Sequence, residues 1–342
     1  VPHTHSNMFR QCNCVAASSW SGVGPGDVIY SPAPIGFAIG FHCHIDYCFY
    51  FGATSLYCTE RPSPQRFLEL VEIYGVTRMM TTATHLWKVL SIPPQPQRAR
   101  TLQSISVGGS AVTNELFRKW CESYGTILRP SFAMTEILGA SHWSPRDGAR
   151  PDTIGKLMPG WEAMIVDPDD SEGRREVERG ETGVLWLKGA SVLPFYWNDP
   201  ALTQQKIRDG WFNTGDLVYE DEDGYFHHVG RVDELIKSSG WRISPADIED
   251  VLREHPSVGD VAVVGVPDQV KGHVVAAAIV PSQPVSDAER LVNELKVLAK
   301  EKLSGYKVPQ RFVFLDRLPR TATGKVQRKE LTEELSRLKA NP

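Results

Sequence analysis

The chain has 342 residues, of which 41% are hydrophobic and 23% are charged, and its formal net charge is −4. These proportions are ordinary for a globular protein, and the small negative charge gives no electrostatic basis for binding nucleic acid or an anionic membrane. Because no such surface is indicated, we expect a small-molecule partner. The length exceeds what one hydrophobic core normally fills, so we also expect at least one domain boundary.

Nothing in the sequence indicates export or membrane insertion. No apolar run approaches the roughly 18 residues needed to span a bilayer, and no basic region followed by an apolar stretch and a cleavage site begins the chain. Six cysteines in a chain of this length do not form a disulfide framework and fit a reducing compartment. The sequence therefore predicts a soluble cytoplasmic protein, and it leaves the oligomeric state open.

Up to about residue 130 short apolar runs alternate with amphipathic segments, which is typical of α/β organisation. The predicted strands lie in DVIYSP, ATSLYC, TRMMTT and SISVGGSAV, and helices are predicted after Pro64 and in TNELFRKWCESYG. The helix after Pro64 has an apolar stripe that we predict to face the core rather than a ligand. Its members are Phe67, Leu70, Val71 and Tyr74.

The pattern changes twice further along the chain. From about Thr153 to His228, short strands separated by Gly, Asp and Pro predict a β-rich unit. After GRVDELIK, a helix, two strands, a long helix from about Ser286 to Leu303 and a last strand predict a compact α+β domain of about 110 residues. The predicted domains are 1–232, divided into an α/β part (1–152) and a β-rich part (153–232), and 233–342.

Four motifs are ambiguous when each is taken alone. In FHCHIDYC adjacent residues point in different directions, which disfavours a metal site. GGSAV is a glycine turn with or without a ligand. FAMTEILG places a hydroxyl beside a carboxylate, which can bind phosphate and its Mg²⁺ or merely cap a helix. In FNTGDL a carboxylate could accept both hydroxyls of a ribose or serve the turn itself.

The order of the motifs carries more information than any one of them. GGSAV, FAMTE, GETGVLWLKG, GWFNTGDL, DGYFHHVGRVDELIKSSGWRISPADIE and LPRTATGKVQRKEL follow one another along the chain. In this order they resemble the adenylate-forming superfamily of acyl- and aryl-CoA synthetases, and the resemblance covers the whole chain. It implies a large α/β domain with a β-barrel-like unit, a smaller α+β C-terminal domain, and an AMP-forming acid–thiol ligase. ATP, Mg²⁺ and CoA are the implied cofactors, and a carboxylic acid is the implied substrate.

The resemblance also implies the catalytic residues. Lys325 would neutralise charge between the carboxylate and the α-phosphate during adenylation. The small residues TATG before it would let the ammonium reach the reacting groups, which a helix would prevent. Thr135 would bind the α-phosphate, and Glu136 would hold Mg²⁺.

Nucleotide and CoA contacts follow from the same resemblance. Asp233 would be the hinge about which the C-terminal domain swings between the half-reactions. Gly240 would let the backbone lie alongside pantetheine, whereas Trp241 is predicted to pack. The implied adenine and ribose contacts are Gly109, Ser110, Phe132, Asp216 and Arg231.

The acid is less clearly indicated. SPAPIGFAIGF lies where these enzymes build the acyl pocket, so Phe37 and Gly40 are the predicted pocket residues. Phe37 stands where many relatives have histidine, and the run resembles the corresponding stretch of benzoate and 2-aminobenzoate CoA ligases. An aromatic wall suits a flat ring. KSSGWRISP is as similar to medium-chain acyl-CoA synthetases. We predict an aromatic acid, with a medium-chain fatty acid as the alternative.

The start of the chain departs from the family pattern. Family members carry a phosphate-binding loop ending in Pro-Lys-Gly, closely followed by a segment like VPHTHSN, and here that loop is absent from the sequence. We therefore expect a fragment of a longer synthetase, for which adenylation by this chain alone is in question. The alternative from another class is a non-catalytic module that binds nucleotide or CoA. An amino-acid-adenylating domain is less favoured, because no carrier-domain motif follows.

Overall fold

A computed structural model of the chain describes residues 1–18, 23–170, 175–189, 191–285, 287–321 and 326–338. The chain divides into two compact units. The first comprises Val1–Thr214 and Val218–His228, and the second comprises Gly215–Leu217 and Val229–Pro342. Lys325 lies outside the described residues.

A seven-stranded sheet lies in the first unit. Its strands are β1 (Val28–Tyr30), β2 (Thr54–Leu56), β3 (Arg78–Thr81), β4 (Ser104–Val107), β5 (Leu128–Met134), β6 (Gly139–Trp143) and β7 (Lys156–Leu157). The order is β2-β1-β3-β4-β5-β6-β7, parallel from β2 to β5 and antiparallel from β5 to β7. Strands β3 and β4 are buried along their whole length, as parallel strands covered on both faces usually are.

The helices of the first unit fall mainly between the strands of this sheet. They are α1 (His5–Ala17), α2 (Ala38–Phe41), α3 (Tyr47–Phe51), α4 (Pro64–Tyr74), α5 (Ala83–Leu90), α6 (Asn114–Tyr124) and α7 (Pro200–Lys206). A π-helical turn, His42–Asp46, joins α2 to α3. Neither this turn nor α7 was predicted from the sequence.

Helix α4 begins where its sequence predicts, but one member of its stripe is not in the core. Ser63 caps the helix by accepting from the amide of Arg66 at 3.2 Å, and Pro64 is the first helical residue. Three stripe residues are buried, whereas Tyr74 is 53% exposed, so that part of the prediction is wrong. The helix ends at Tyr74, and the buried Val76 folds back so that its amide donates to the carbonyl of Val71 at 3.0 Å.

A second sheet contains the predicted β-rich segment. Its strands are β8 (Trp161–Val166), β9 (Gly183–Gly189), β10 (Ile207–Arg208), β11 (Trp211–Glu220) and β12 (Phe226–Arg231). The order is β10-β11-β9-β8, with β12 also paired to β11. Pairing is antiparallel between β8 and β9 and between β10 and β11.

The second unit is an α+β structure. Its strands are β13 (Ile236–Ser238), β14 (Trp241–Ile243), β15 (Val258–Asp268), β16 (Gly272–Pro281) and β17 (Arg311–Phe314), and its helices are α8 (Pro245–Arg253), α9 (Ala288–Lys302) and α10 (Arg328–Arg337). Strands β13 and β14 form a hairpin, and β15-β16-β17 form a sheet. Alternate residues of β16 pack into two cores, one shared with α8 and α9 and the other with α10. The predicted mixture of helices and strands is therefore confirmed.

None of the helices among the described residues is both long enough and apolar enough to cross a bilayer.

Candidate functional site

The first group of predicted site residues lies at the carboxyl edge of the seven-stranded sheet. Strand β5 pairs with β4 only up to Pro130, and its remaining residues run past the end of β4. A 3-10 turn, Thr135–Ile137, follows directly. Ligands of open α/β sheets bind outside the carboxyl ends of the strands, so Thr135 and Glu136 are in a position to meet one.

The GGSAV turn follows the neighbouring strand at the same edge. Gly109 has a φ of 79°, and a Cβ added there would come no closer than 3.9 Å to another atom, so the backbone conformation and not crowding requires glycine. Gly109 and Ser110 are both exposed. The hydroxyl of Ser131 donates to the carbonyl of Val107 at 3.1 Å, which holds the ends of β4 and β5 together. The two motifs are thus brought to one edge.

Glu136 is held at two points. Its carbonyl accepts from the amide of Leu193 at 2.7 Å, and its Oε1 accepts from the hydroxyl of Tyr196 at 3.3 Å. The amide of Tyr196 in turn donates to Thr203 Oγ1 at 2.9 Å. Within the described part of the chain, Oε2 accepts no hydrogen bond, so the carboxylate is oriented through one oxygen and its other oxygen has no protein donor there.

Two residues that sequence reasoning missed support the same turn. His3 Nε2 donates to the carbonyl of Thr135 at 2.6 Å, and His3 Nδ1 accepts from Asn7 Nδ2 at 3.0 Å. This pattern is that of a neutral imidazole with its proton on Nε2. Burial lowers the pKa of His3, which favours the same neutral form. Asn7 is itself fixed by donating to the carbonyls of Ser191 and Val192, both at 3.3 Å.

Phe132, the predicted adenine contact, packs at one edge of an aromatic cluster. Its ring centroid lies 6.0 Å from that of His142 and 6.5 Å from that of His228. His142 packs in turn on Phe226 at 4.4 Å, and its Nδ1 is hydrogen-bonded to the hydroxyl of Ser141 at 2.9 Å. Phe132 remains half-buried, so part of its ring is available to a base.

We expect acid to destabilise the first unit through His142 and His85. Burial lowers the pKa of His142 from 6.5 to about 3 and that of His85 from 6.5 to about 4. Below pH 6.5 the unfolded chain binds protons that the folded chain does not. The stability that each buried neutral histidine contributes is therefore present above pH 6.5 and is lost as the pH falls. Between pH 7 and pH 5, each histidine should lower the free energy of unfolding by about 2 kcal/mol.

Denaturant titrations of the wild type and of His142→Gln at both pH values measure this loss, and His5→Gln, at an exposed position, is the control. The His142 variant should lose about 2 kcal/mol less than the wild type on acidification, and equal losses would contradict the prediction.

The predicted ribose and hinge residues come together within the second unit. Arg231 Nη1 donates to Asp216 Oδ2 at 3.4 Å, and Arg231 Nε donates to Asp233 Oδ1 at 3.0 Å. Asp216 is 5% exposed, whereas the side chain of Asp233 is 70% exposed. Burial alone would lower the pKa of Arg231, but the two carboxylates raise it, so this guanidinium stays charged.

Gly240 is favoured by the backbone conformation of a tight turn, independently of its predicted contact with pantetheine. Ser238 lies opposite Trp241, so Ser239 and Gly240 form a two-residue hairpin loop with φ of 49° and 83°. Positive φ at both positions is that of a type I′ turn, for which glycine is favoured. A Cβ on Gly240 would meet nothing within 4 Å. Trp241 stacks on Tyr306, with centroids 4.3 Å apart, and remains 53% exposed.

Of the predicted acyl-pocket residues, Gly40 also has a steric explanation. A Cβ there would lie 2.2 Å from the carbonyl oxygen of Pro34, so only glycine fits. Phe37 is half-buried just before α2 and accepts from the amide of Phe41 at 2.8 Å. In the neighbouring π-helical turn His42 Nδ1 bonds Asp46 Oδ2 at 2.6 Å. Across the described ranges, no three His, Cys, Asp or Glu side chains are grouped so as to hold a metal.

Comparison with known proteins agrees with this fold and arrangement. The chain is 32% identical over 336 residues to a long-chain-fatty-acid–CoA ligase of Salmonella typhimurium, covering 97% of this chain and 58% of that protein. It is 30% identical over 332 residues to a benzoate–CoA ligase of Thauera aromatica, covering 96% of this chain and 62% of that protein. A solved structure of O-succinylbenzoate coenzyme A synthetase from Bacillus subtilis, in complex with ATP and magnesium ion, matches with a TM-score of 0.84 and 28% identity, covering 97% of this chain and 66% of that chain.

The chain belongs to the AMP-binding enzyme family. The family model matches residues 1–197, and that of the AMP-binding enzyme C-terminal domain matches residues 247–325, a range that ends at Lys325. The superfamily indicated by the sequence motifs is thereby confirmed. The chain spans roughly three fifths of the length of the two curated relatives described above.

Proposed function

We propose that the protein containing this chain is an AMP-forming acid–CoA ligase that uses ATP, Mg²⁺ and CoA. The observation that carries the proposal is the meeting of two motifs at one edge of the sheet. The exposed Gly109-Ser110 turn and the turn carrying Thr135 and Glu136 follow adjacent strands. A base, a phosphate and a cation could be bound there side by side.

In the proposed first step, a carboxylate oxygen of the acid attacks the α-phosphorus of ATP and pyrophosphate leaves. The exposed hydroxyl of Thr135 would donate to the α-phosphate, and Lys325 would offset the negative charge that two anions bring together. Glu136 would hold Mg²⁺, which would neutralise phosphate charge. His3 would keep the Thr135–Glu136 turn in place through the Thr135 carbonyl.

In the proposed second step the thiol of CoA attacks the acyl carbon, the bond to the phosphate oxygen breaks and AMP leaves. Asp216 would bind the ribose hydroxyls, and Arg231 would both bind the ribose and hold Asp216. We further propose that residues 1–232 and 233–342 act as two domains with a hinge at Asp233. The half-exposed Trp241 beside Gly240 is consistent with a ligand lying along that hairpin.

For the acid we propose an aromatic carboxylate. The half-buried Phe37 would present its ring to the substrate, and Gly40 would keep the helix start close to Pro34 so that the pocket wall is formed. The similarity to both a benzoate ligase and a fatty-acid ligase does not favour one class. A medium-chain fatty acid is therefore the second candidate, because an apolar wall also accepts an alkyl chain.

The test uses the protein encoded by the full reading frame in which this chain lies. Purified protein is incubated with ATP, Mg²⁺ and benzoate, 2-aminobenzoate or octanoate, and pyrophosphate release and CoA thioester formation are measured separately. We expect both products, with higher kcat/KM for the aromatic acids. Higher kcat/KM for octanoate would favour the second candidate. Binding of AMP or CoA without pyrophosphate release from any acid would instead indicate a non-catalytic binding module.

A further inference from the structure

Arg328, the first residue of α10, binds carboxylates from two other elements of the second unit. Its Nη1 and Nη2 donate to the two oxygens of Glu249, at 2.6 and 3.2 Å, and its Nε donates to Glu234 Oε2 at 3.1 Å. Nη1 also donates to the carbonyl of Val263 at 2.9 Å. A guanidinium suits this position because its donors are fixed in one plane and can bind two carboxylates together.

Glu249 forms the rigid side of this contact. Its side chain is 9% exposed, and its Oε1 also accepts from the amide of Val263 in β15 at 2.8 Å. The neighbouring α8 residues Ile248 and Leu252 are fully buried in the core beneath. The carboxylate is therefore fixed by the packing of the unit, and it fixes the guanidinium in turn.

Glu234 forms the other side and is placed differently. It ends the 3-10 turn Val232–Glu234, in which no residue is buried. Its side chain is 36% exposed. Because no residue of the turn is buried, polar contacts contribute to holding it, and two consecutive carboxylates supply them: Arg231 binds Asp233, and Arg328 binds Glu234.

We propose that Arg328 is a positioning residue that ties the turn carrying Asp233 to the start of α10. This inference rests on the proposed function, in which Asp233 is the hinge and Lys325 acts in adenylation. Lys325 precedes Arg328 by three residues in the sequence. Fixing α10 to the turn thus restricts where the lysine can be placed. None of the Arg328 hydrogen bonds described above reaches residues 236–243, which form the hairpin that carries Gly240.

The variant that tests the tie most directly is Glu234→Ala. It leaves the ion pair between Arg328 and the buried Glu249 intact, so neither of these charges is left without a partner. Glu333→Ala, at a position of α10 whose side chain is 56% exposed, is the matched control. In the protein from the full reading frame, Glu234→Ala should slow adenylation by a factor on the order of 10 to 10², as misplacement of a catalytic group does. Thioester formation from pre-formed acyl-adenylate should stay near the wild-type rate, as should both steps in the control.

Arg328→Lys is the conservative second variant. It keeps the charge but not the planar fork, so it should lie between the wild type and Glu234→Ala in the adenylation step. Equal loss of both half-reactions in Glu234→Ala would show a merely structural role and would overturn the proposal.

Amide hydrogen exchange separates the tie from the proposed function, since it needs no activity. Glu234→Ala should raise the exchange rates of residues 232–234 and of the first turn of α10, while the amides of β15 keep theirs. Unchanged exchange in the turn would overturn the tie even in an active ligase. Raised exchange in a protein that makes no adenylate would support the tie and reject the proposed function.

Discussion

Replacing Lys325 by alanine should slow acyl-adenylate formation by about 10²- to 10³-fold while leaving thioester formation from pre-formed adenylate nearly unchanged. The expected loss corresponds to about 2.7–4 kcal/mol of transition-state stabilisation, because the ammonium would offset charge mainly while carboxylate and phosphate are being joined. Once the adenylate has formed, that charge has been carried away with pyrophosphate.

Lys329→Ala is the matched control for this change, since Lys329 is exposed on α10 four residues further along the chain. Both half-reactions are measured in the protein from the full reading frame, by exchange of labelled pyrophosphate into ATP and by thioester formation. The assignment to Lys325 fails if its variant stays folded and loses the two steps equally, or if the Lys329 variant behaves in the same way.

Replacing Gly240 by leucine should have the opposite effect, with thioester formation lost and pyrophosphate exchange retained. The open space around the Gly240 Cα is where a branched side chain would project, and we propose that pantetheine passes there. Because the φ of 83° strains any residue with a Cβ, part of the effect could come from the turn itself.

Gly240→Ala separates these causes, because it carries the same backbone strain with almost no bulk. Steady-state CoA kinetics and the thermal midpoint are measured for both variants. We expect similar thermal midpoints and a raised KM for CoA only in the leucine variant. If the alanine variant loses thioester formation as fully as the leucine variant, the loss comes from the hairpin and not from a blocked path.

Many elements of the fold were predictable because the signals for them are local. Strands β4 and β16 end where an apolar run meets glycine or proline, and α4 starts at a Ser-Pro signal that needs no tertiary context. Tyr74 shows the limit of that reasoning. Helical spacing placed it on the core face, but the chain turns at the next residue and Val76 packs there instead.

Within the candidate site, the motifs could be found from the sequence but their supports could not. His3 is separated from Thr135 by 132 positions, and Arg328 from Glu234 by 94. No periodicity or local motif connects residues so far apart, because their contact depends on how whole elements pack. For Gly40 and Gly240 the sequence suggested roles in binding, and backbone geometry now gives each a sufficient reason of its own.

The sheet of the second unit has a consequence for folding, because β16 is apolar on both of its faces. In a strand with one polar and one apolar face, a slip of one residue would expose the apolar side chains and bury the polar ones, and this penalty protects the register. A slip of β16 against β15 would exchange two apolar faces and would therefore carry no such penalty. The safeguard here is local to the hairpin, where Asp268 Oδ1 accepts from the amides of Val270 and Lys271 at 2.9 and 2.8 Å. These bonds lower the pKa of Asp268 and set Asp268 opposite Gly272. The Asp268 carboxylate at the surface therefore favours the observed pairing of β15 with β16.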